Sequence, residues 1–533
     1  YASEYYASPA GSGAECSLKK PCKIASFWNR AKPGDVLNLQ DGIYTGNDSM
    51  IDPPADYSPA NGGVCGSLFG GSEGKFVTVR AINDGKAVID GQWNRQPGRL
   101  RCSHYIALEG MRFQNSSGDV IEVRRSTHNI LRRISAYNAN YYLLPGISCP
   151  GVRYYNHHVL NIFSRSTYNV VEDSIFGGSG RNLIDSFGKS NFNIFRRSIL
   201  VGGGYVRANA IPGCAVAHPQ SHGEAAQFYG VSDNVMENII AFGIGDWQGR
   251  LRPKQAGVNI WANTGEEAHR NKYFGTLVMD YPEYGFYHAS RCNGTNDSDM
   301  CMTESYYENV VSFRNGINFL ARNGRNHIIR NSSFLQGGYG NGSSNKIQAG
   351  IYTDGAYDSD QSSSWLYENI LVADNKGYGC YGERTLSPQN VTFDHALFYG
   401  NRGDFFLRCT TTDQNNITQK VNPRLTSLVY VDATSPAHTA GGNGNPVGAD
   451  LRCRYVSRFD EGRIITERTS LSLWPLPDFI NERVKAETLE IHGTAYDVNA
   501  KVLDALGPRD KGKLACPVET SAPPARPTEL TVR

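Results

Sequence analysis

The densest histidine segment of the chain is CAVAHPQSHGEAAQFYG (214–230), where His218, His222 and Glu224 lie close together. Imidazoles beside a carboxylate can hold a metal or move protons, and His222 is the candidate general acid–base. Pro219 interrupts any helix, so the His218/His222 spacing is not the helical one of zinc proteases. Loop hydrogen bonding is the competing reading. The neighbouring loops are basic: Arg181 in GGSGRN, Arg207 in GGGYVRAN, and Arg250, Arg252 and Lys254 in GDWQGRLRPKQ. Raised in register along one edge, they would make a basic wall that draws in a polyanion. Scattered arginines that only solubilise loops are the alternative. Two acidic loop pairs, Asp297/Asp299 in NDSDMC and Asp358/Asp360 in YDSDQ, are the candidate cation ligands. Each pair supplies two carboxylates, so calcium there needs backbone and water oxygens as well.

What could position such residues is a repeat. YNVVEDSIF (168–176) returns as FNIFRRSIL (192–200), and further copies are THNILRRISAY (127–137), SDNVMENIIAF (232–242), SYYENVVSF (305–313), NHIIRNSSF (326–334), SWLYENILVA (364–373) and PQNVTFDHALF (388–398). Intervals cluster near 22–26 residues or lengthen toward 40, as though loops were inserted into a constant unit. Apolar residues alternate over short stretches and Asn or Gly follows, which is strand periodicity. Units that touch only their neighbours build a solenoid, here an all-β, right-handed parallel β-helix. Glu172 and Arg196 can then differ in sign because both face solvent or a neighbouring coil, whereas Ile175 and Ile199 are expected to stack in the core. Asn before each strand suits a corner with left-handed backbone and offers its amide to the next coil.

Aligning AAQFYG (225–230), GVNIWAN (257–263), GFYHAS (285–290), GINFLAR (316–322) and GIYTDG (350–355) places Gln227, Asn259, Tyr287, Asn318 and Tyr352 outward in one ladder. Ile317 points inward in this alignment, and Tyr229, Trp261 and Asp354 form a second outward ladder. Amides among aromatic rings suit a sugar chain. A solvated face kept for stability is the alternative.

The opening, YYASPAGSGAECSLKKPCKIASFWNRAKPGDVLNLQDGIYTG (5–46), resembles the lead-in of secreted pectin-lyase-like β-helix proteins, with Ile24 to Ala31 as the short capping helix. The resemblance extends over about residues 1–420. It implies an acidic polysaccharide as partner and, if the chain is catalytic, a lyase acting by β-elimination. Such lyases use Lys or Arg as the base, often beside calcium. Lys189, four residues after Asp185, is then one candidate base, and Arg207 and Lys254 are others. The sequence departs from the calcium-dependent pattern, because no compact aspartate cluster falls on one strand face; nor can a close carboxylate pair of the hydrolase kind be placed. A non-catalytic extracellular, adhesive or filament-forming β-helix is the competing class.

Composition sets limits on the rest. A net charge of +2 over 533 residues gives no global attraction to nucleic acid, and no apolar run is long enough to span a bilayer. Twelve cysteines without a C-x-x-C or C-x-x-C-H pair give no support to zinc ribbons or haem, and no nucleotide motif is present. Their number suggests bridges in an oxidising, extracellular compartment: Cys16 with Cys22, Cys292 with Cys301, Cys380 with Cys409, and Cys453 with Cys516. The absence of a basic-then-apolar leader before Tyr1 is the pattern expected once a signal peptide is removed. We therefore expect a lead-in and cap (1–60), the β-helix (61–425), a C-terminal cap folded back on it (426–516), and a Pro-rich linker (517–533). The closing PTELTVR resembles the first strand of a fibronectin type III domain, so cell-surface attachment through a further module is expected.

Overall fold

The computed structural model describes residues 2–58, 64–139, 141–142, 155–178, 180–203, 222–244, 254–263, 265–291, 302–338, 348–353, 364–382, 390–402, 406–407, 409, 417–419, 421–425, 434–506 and 516. Each repeat phrase folds as short strands that pair in parallel with their counterparts one coil on. A 24-stranded and an 11-stranded sheet result. The larger sheet holds two strips, such as Val170–Glu172 and Ile175–Gly177 of one coil, which merge where Ser364–Ala373 runs through both. The fold is an all-β, right-handed parallel β-helix.

Inside the tube, Leu131, Val171, Phe195, Met236, Tyr273, Tyr307 and Ile329 succeed one another in register, all fully buried. Beside them runs a ladder of buried asparagines. Asn129 N donates to Asn169 Oδ1 at 3.1 Å, Asn169 N to Asn193 Oδ1 at 3.0 Å, and Asn193 N to Asn234 Oδ1 at 2.8 Å. The amides thus bridge coils as expected, but the left-handed backbone sits one residue earlier, on His128, Tyr168, Phe192, Asp233 and Arg270. These corner residues hold a conformation that costs non-glycine residues energy, and the coils stacked on either side fix it.

Ile175 and Ile199 do not enter the tube. The inward positions belong to Phe176 and Leu200, while the isoleucines lie in a second apolar cluster on the outer flank. That flank is covered by the C-terminal segment, a hairpin (Cys453–Asp460 with Arg463–Ser472) and helices α2 (Asp478–His492) and α3 (Val498–Leu506). Trp474, Val484, Val498 and Val502 pack there against Ile240, Phe242 and Leu277. Arg112 adds a paired contact to Glu490 at 2.7 and 2.8 Å, and buried Glu487 accepts from Tyr137 Oη at 2.8 Å. The segment therefore lies along the side of the solenoid. A strand pattern that alternates apolar residues cannot by itself distinguish an inward face from an outward one covered by distant chain.

At the other end, the capping helix is shorter than expected, Ile24–Trp28, and buries Ile24, Phe27 and Trp28. Disulfides join Cys16–Cys22, Cys380–Cys409 and Cys453–Cys516 as anticipated, and Cys65–Cys102 in addition. Cys292 and Cys301 lie outside the described residues. No described helix is long and apolar enough to cross a membrane.

Candidate functional site

The 11-stranded sheet carries the polar face. Its strands are β1 (Gly98–Arg101), β2 (Ile121–Arg124), β3 (Leu160–Phe163), β4 (Asn182–Phe187), β5 (His222–Tyr229), β6 (Lys254–Asn263) and β7 (Tyr284–Arg291), followed by four more. Register places Glu122, Asn161, Asp185, Gln227, Asn259 and Tyr287 side by side on successive coils. Three residues upstream on these coils stand Asp119, His158, Asn182 and Glu224. Two residues downstream stand Arg124, Phe163, Phe187, Tyr229 and Trp261. Residues two apart share a face, which joins the middle and downstream rows. The upstream row joins them across three residues because two consecutive residues turn into the core in between, as at Leu183–Ile184 and Ala225–Ala226.

A cavity of about 370 Å³ opens here, lined by Asp119, His157, His158, Asn161, Arg181, Asp185, Phe187, Gln227 and Tyr229. Asp119 organises one wall: its Oδ1 accepts the backbone N–H of His158 at 2.7 Å and lies 3.4 Å from His157 Nδ1, while Oδ2 accepts Asn161 Nδ2 at 2.9 Å. His158 Nε2 is 3.6 Å from Asp185 Oδ2. Asn182 Nδ2 donates to Asp185 Oδ1 at 2.9 Å and to Gln227 Oε1 at 2.8 Å. Beside the cavity, Asn259 Nδ2 donates to Glu224 Oε1 at 3.1 Å. Glu224 Oε2, Asn259 Oδ1, Asn161 Oδ1 and His158 Nδ1 are buried without a hydrogen-bond partner. Unsatisfied acceptors in such number are costly and mark where a ligand would bond.

Burial separates the three carboxylates in proton affinity. Asp119 is buried, which opposes ionisation, yet the His157 hydrogen bond and the two neighbouring histidines outweigh that and hold it below the usual carboxylate range. Burial raises Asp185 despite His158 and Arg181. Burial pushes Glu224 up to about 7; the Arg181 charge and the Asn259 hydrogen bond only partly offset it, and Asp185 adds to the rise. Burial also lowers His158, against the pull of Asp185 and Asp119. One ionised carboxylate, one carboxyl protonated near neutrality and a pair of imidazoles thus share one cleft, an arrangement suited to general acid–base chemistry.

The aromatic rings pair with one another: Phe163 stacks on Phe187 at 5.1 Å, and Trp261 on Tyr287 at 5.8 Å, with planes 11° and 9° apart. Stacking along the axis occupies ring faces, so these rings present their edges outward. Tyr352 keeps the expected register but is buried, stacked on Tyr381. Asn318 does not join the ladder. The strand is offset by two residues, Leu320 takes the outward place, and Asn318 is fully buried, donating to Asn375 Oδ1 at 2.9 Å and Leu335 O at 3.0 Å. Ile317 accordingly sits in the outer cluster with Tyr284 and Leu320.

Of the other sequence candidates, Arg181 lines the cavity, whereas Lys189 is exposed at a corner beyond the end of β4 and does not. His222 and Lys254 are backbone register partners at the starts of β5 and β6. Arg207, His218, Arg250, Arg252, Asp297, Asp299, Asp354, Asp358 and Asp360 lie outside the described residues. No group of three or more His, Cys, Asp or Glu side chains among the described residues is arranged to hold a metal ion. Sequence reasoning missed Asp119, His157, His158 and Asn161. The signal was available in the long interval between residues 127 and 168, an inserted loop that ends in the pair His157–His158.

No protein-family model matches this chain, and no curated protein sequence does. Solved structures do. A structure described as pectate lyase Pel9A is 14% identical over 84% of this chain and 95% of its own, with a TM-score of 0.43. The mannuronan C-5 epimerase AlgE4 A-module of Azotobacter vinelandii is 12% identical over 73% and 89%, also with a TM-score of 0.43. PfbA, a surface adhesin of Streptococcus pneumoniae, is 11% identical over 72% and 86%, with a TM-score of 0.41. The parallel β-helix is read from the strand pairing of this chain itself; chemistry does not follow from a fold.

Proposed function

We propose that the protein cleaves an acidic, uronate-containing polysaccharide by β-elimination in the cleft of β2 to β6. One observation carries this reading: an aspartate-oriented histidine and an arginine line one cavity, and a protonatable carboxyl, Glu224, stands beside it. Asp119 holds His157 through Nδ1, which leaves Nε2 with its lone pair as the base. His157 removes the proton next to the uronate carboxylate, and Arg181 balances the negative charge that develops there. The carbon–oxygen bond to the leaving sugar breaks as the ring double bond forms, and Glu224 gives its proton to the departing oxygen. Asn161 and Asn259 supply acceptors for sugar hydroxyls. A polyanion is admitted because Asp119 is paired with histidine and Glu224 is pushed up to about 7, while burial also raises Asp185.

Secretion accords with the four disulfides among the described residues. Cleavage assays with Glu224→Gln and His157→Ala test the roles assigned. Loss of product by about 10²-fold or more in each, with unchanged melting temperature, is expected. Full activity in either variant removes that residue from the mechanism.

A further inference from the structure

Arg124 occupies the same outward row as Phe187, Tyr229 and Trp261, and it differs from Arg99 and Arg101 in having no carboxylate partner among the described residues. Arg99 pairs with Asp52, and Arg101 forms a fork to both oxygens of Glu122 at 2.7 and 2.9 Å. Arg124 makes no ion pair and no side-chain hydrogen bond among the described residues, and its Nε is buried without a partner. Its guanidinium instead lies between two rings, 4.6 Å from the centroid of Tyr57 and 5.0 Å from that of Phe163. The far face of Phe163 stacks on Phe187, which lines the catalytic cavity.

A cation held between aromatic faces is fixed in place and partly stripped of water while keeping its charge. With Glu122 already engaged by Arg101, the open hydrogen-bonding edge of Arg124 is suited to an anion from outside. The position is two coils from β4, roughly 10 Å at a strand spacing of ~4.8 Å, so a polymer lying along the sheet would reach it while its scissile bond rests in the cleft.

We propose that Arg124, clamped by Tyr57 and Phe163, is an anion-binding subsite that selects chains carrying a carboxylate or sulfate ester at a fixed distance from the cleaved bond. The proposal rests on the cleft reading above and adds a specificity determinant to it. Arg124 is a positioning residue for substrate and takes no part in bond breaking.

The test is calorimetric titration of the whole protein and of its Arg124→Met and Arg124→Lys variants. The ligands are a uronate disaccharide, a uronate pentasaccharide, a sulfated galactan pentasaccharide and a neutral xylan pentasaccharide. Arg124→Met should weaken the acidic pentasaccharides about tenfold, the worth of one charge-assisted hydrogen bond. It should leave the disaccharide and the neutral chain unchanged, raise KM without lowering kcat, and be rescued in part by Arg124→Lys. Preference for the uronate over the sulfated pentasaccharide assigns the carboxylate, and the reverse assigns the sulfate ester. Equal binding of acidic pentasaccharides to the native protein and Arg124→Met, at equal melting temperature, overturns the subsite. Binding that depends on Arg124 without any cleavage leaves the subsite standing and removes the lyase reading. No binding of any acidic chain to the native protein overturns both.

Discussion

Asn259 Nδ2 donates to Glu224 Oε1 at 3.1 Å across one coil, while Glu224 Oε2 is buried with no partner. One oxygen is therefore anchored and the other is left to carry a proton. Burial raises the carboxyl to about 7, so it is protonated below that pH and ionised above it. Activity should accordingly fall as pH rises through about 7, approaching tenfold per unit, as the proton donor is lost. Glu224→Gln should lose about 10²- to 10⁴-fold in kcat. A pH–rate profile of both proteins checks this.

Asp119→Asn should be worse than its small change in volume suggests. An amide cannot accept from His157, the His158 backbone and Asn161 together, so the histidine loses its fixed orientation. We expect kcat to fall by about 10²-fold or more and stability by roughly 1–3 kcal/mol. Single-turnover kinetics beside a thermal melt separate the two effects.

The alternating charges along the repeat answer to the same geometry. Arg196 Nε donates to Glu172 Oε2 at 2.7 Å one coil away, and Arg132 Nε lies 3.1 Å from Glu109 Oε1. Reversing either charge alone, Glu172→Arg or Arg196→Glu, should destabilise the fold. The double exchange should recover part of the loss, with a coupling of about 0.5–3 kcal/mol in a double-mutant cycle. Additive losses would mean that the pair contributes nothing.

Inside the tube, fully buried His288 and His327 approach ring to ring at 4.4 Å, and each has an Nε2 without a partner. Burial lowers both, His327 to about 3. Below about 6.5 the unfolded chain takes up protons that the folded chain refuses, so stability falls as pH drops from there toward about 3. Each histidine contributes up to about 1.4 kcal/mol per pH unit. His288→Gln with His327→Gln should flatten the acid limb of a denaturation-midpoint-against-pH curve.

The fold was legible because strand period and coil interval are local signals that recur. Glu172 and Arg196 could be matched from two quoted phrases. Three features were not legible, each for a physical reason. Ile175 and Ile199 alternate like core residues, and only the C-terminal helices, far away in sequence, show that they line an outer flank. Asn318 was misplaced because alternation breaks there: Ile317 and Leu320, three residues apart, both lie in the outer cluster, while Asn318 and Phe319 between them are both turned inward. Asp119, His157 and Glu224 are brought near one another by coil stacking; the long interval before residue 168 marks an insertion, but it does not record which residues of other coils lie against it. Tyr287, Gln227 and Asn259 were found because they share strands whose glycine corners align.

The most direct test of the central claim is absorbance at the unsaturated-uronate band while the protein acts on a panel of acidic polysaccharides. A rise with native protein that is lost in both His157→Ala and Glu224→Gln is the predicted result. A flat trace accompanied by new reducing ends would contradict β-elimination in favour of hydrolysis by the same carboxylates. A flat trace with no reducing ends would contradict catalysis altogether and leave a binding or structural β-helix.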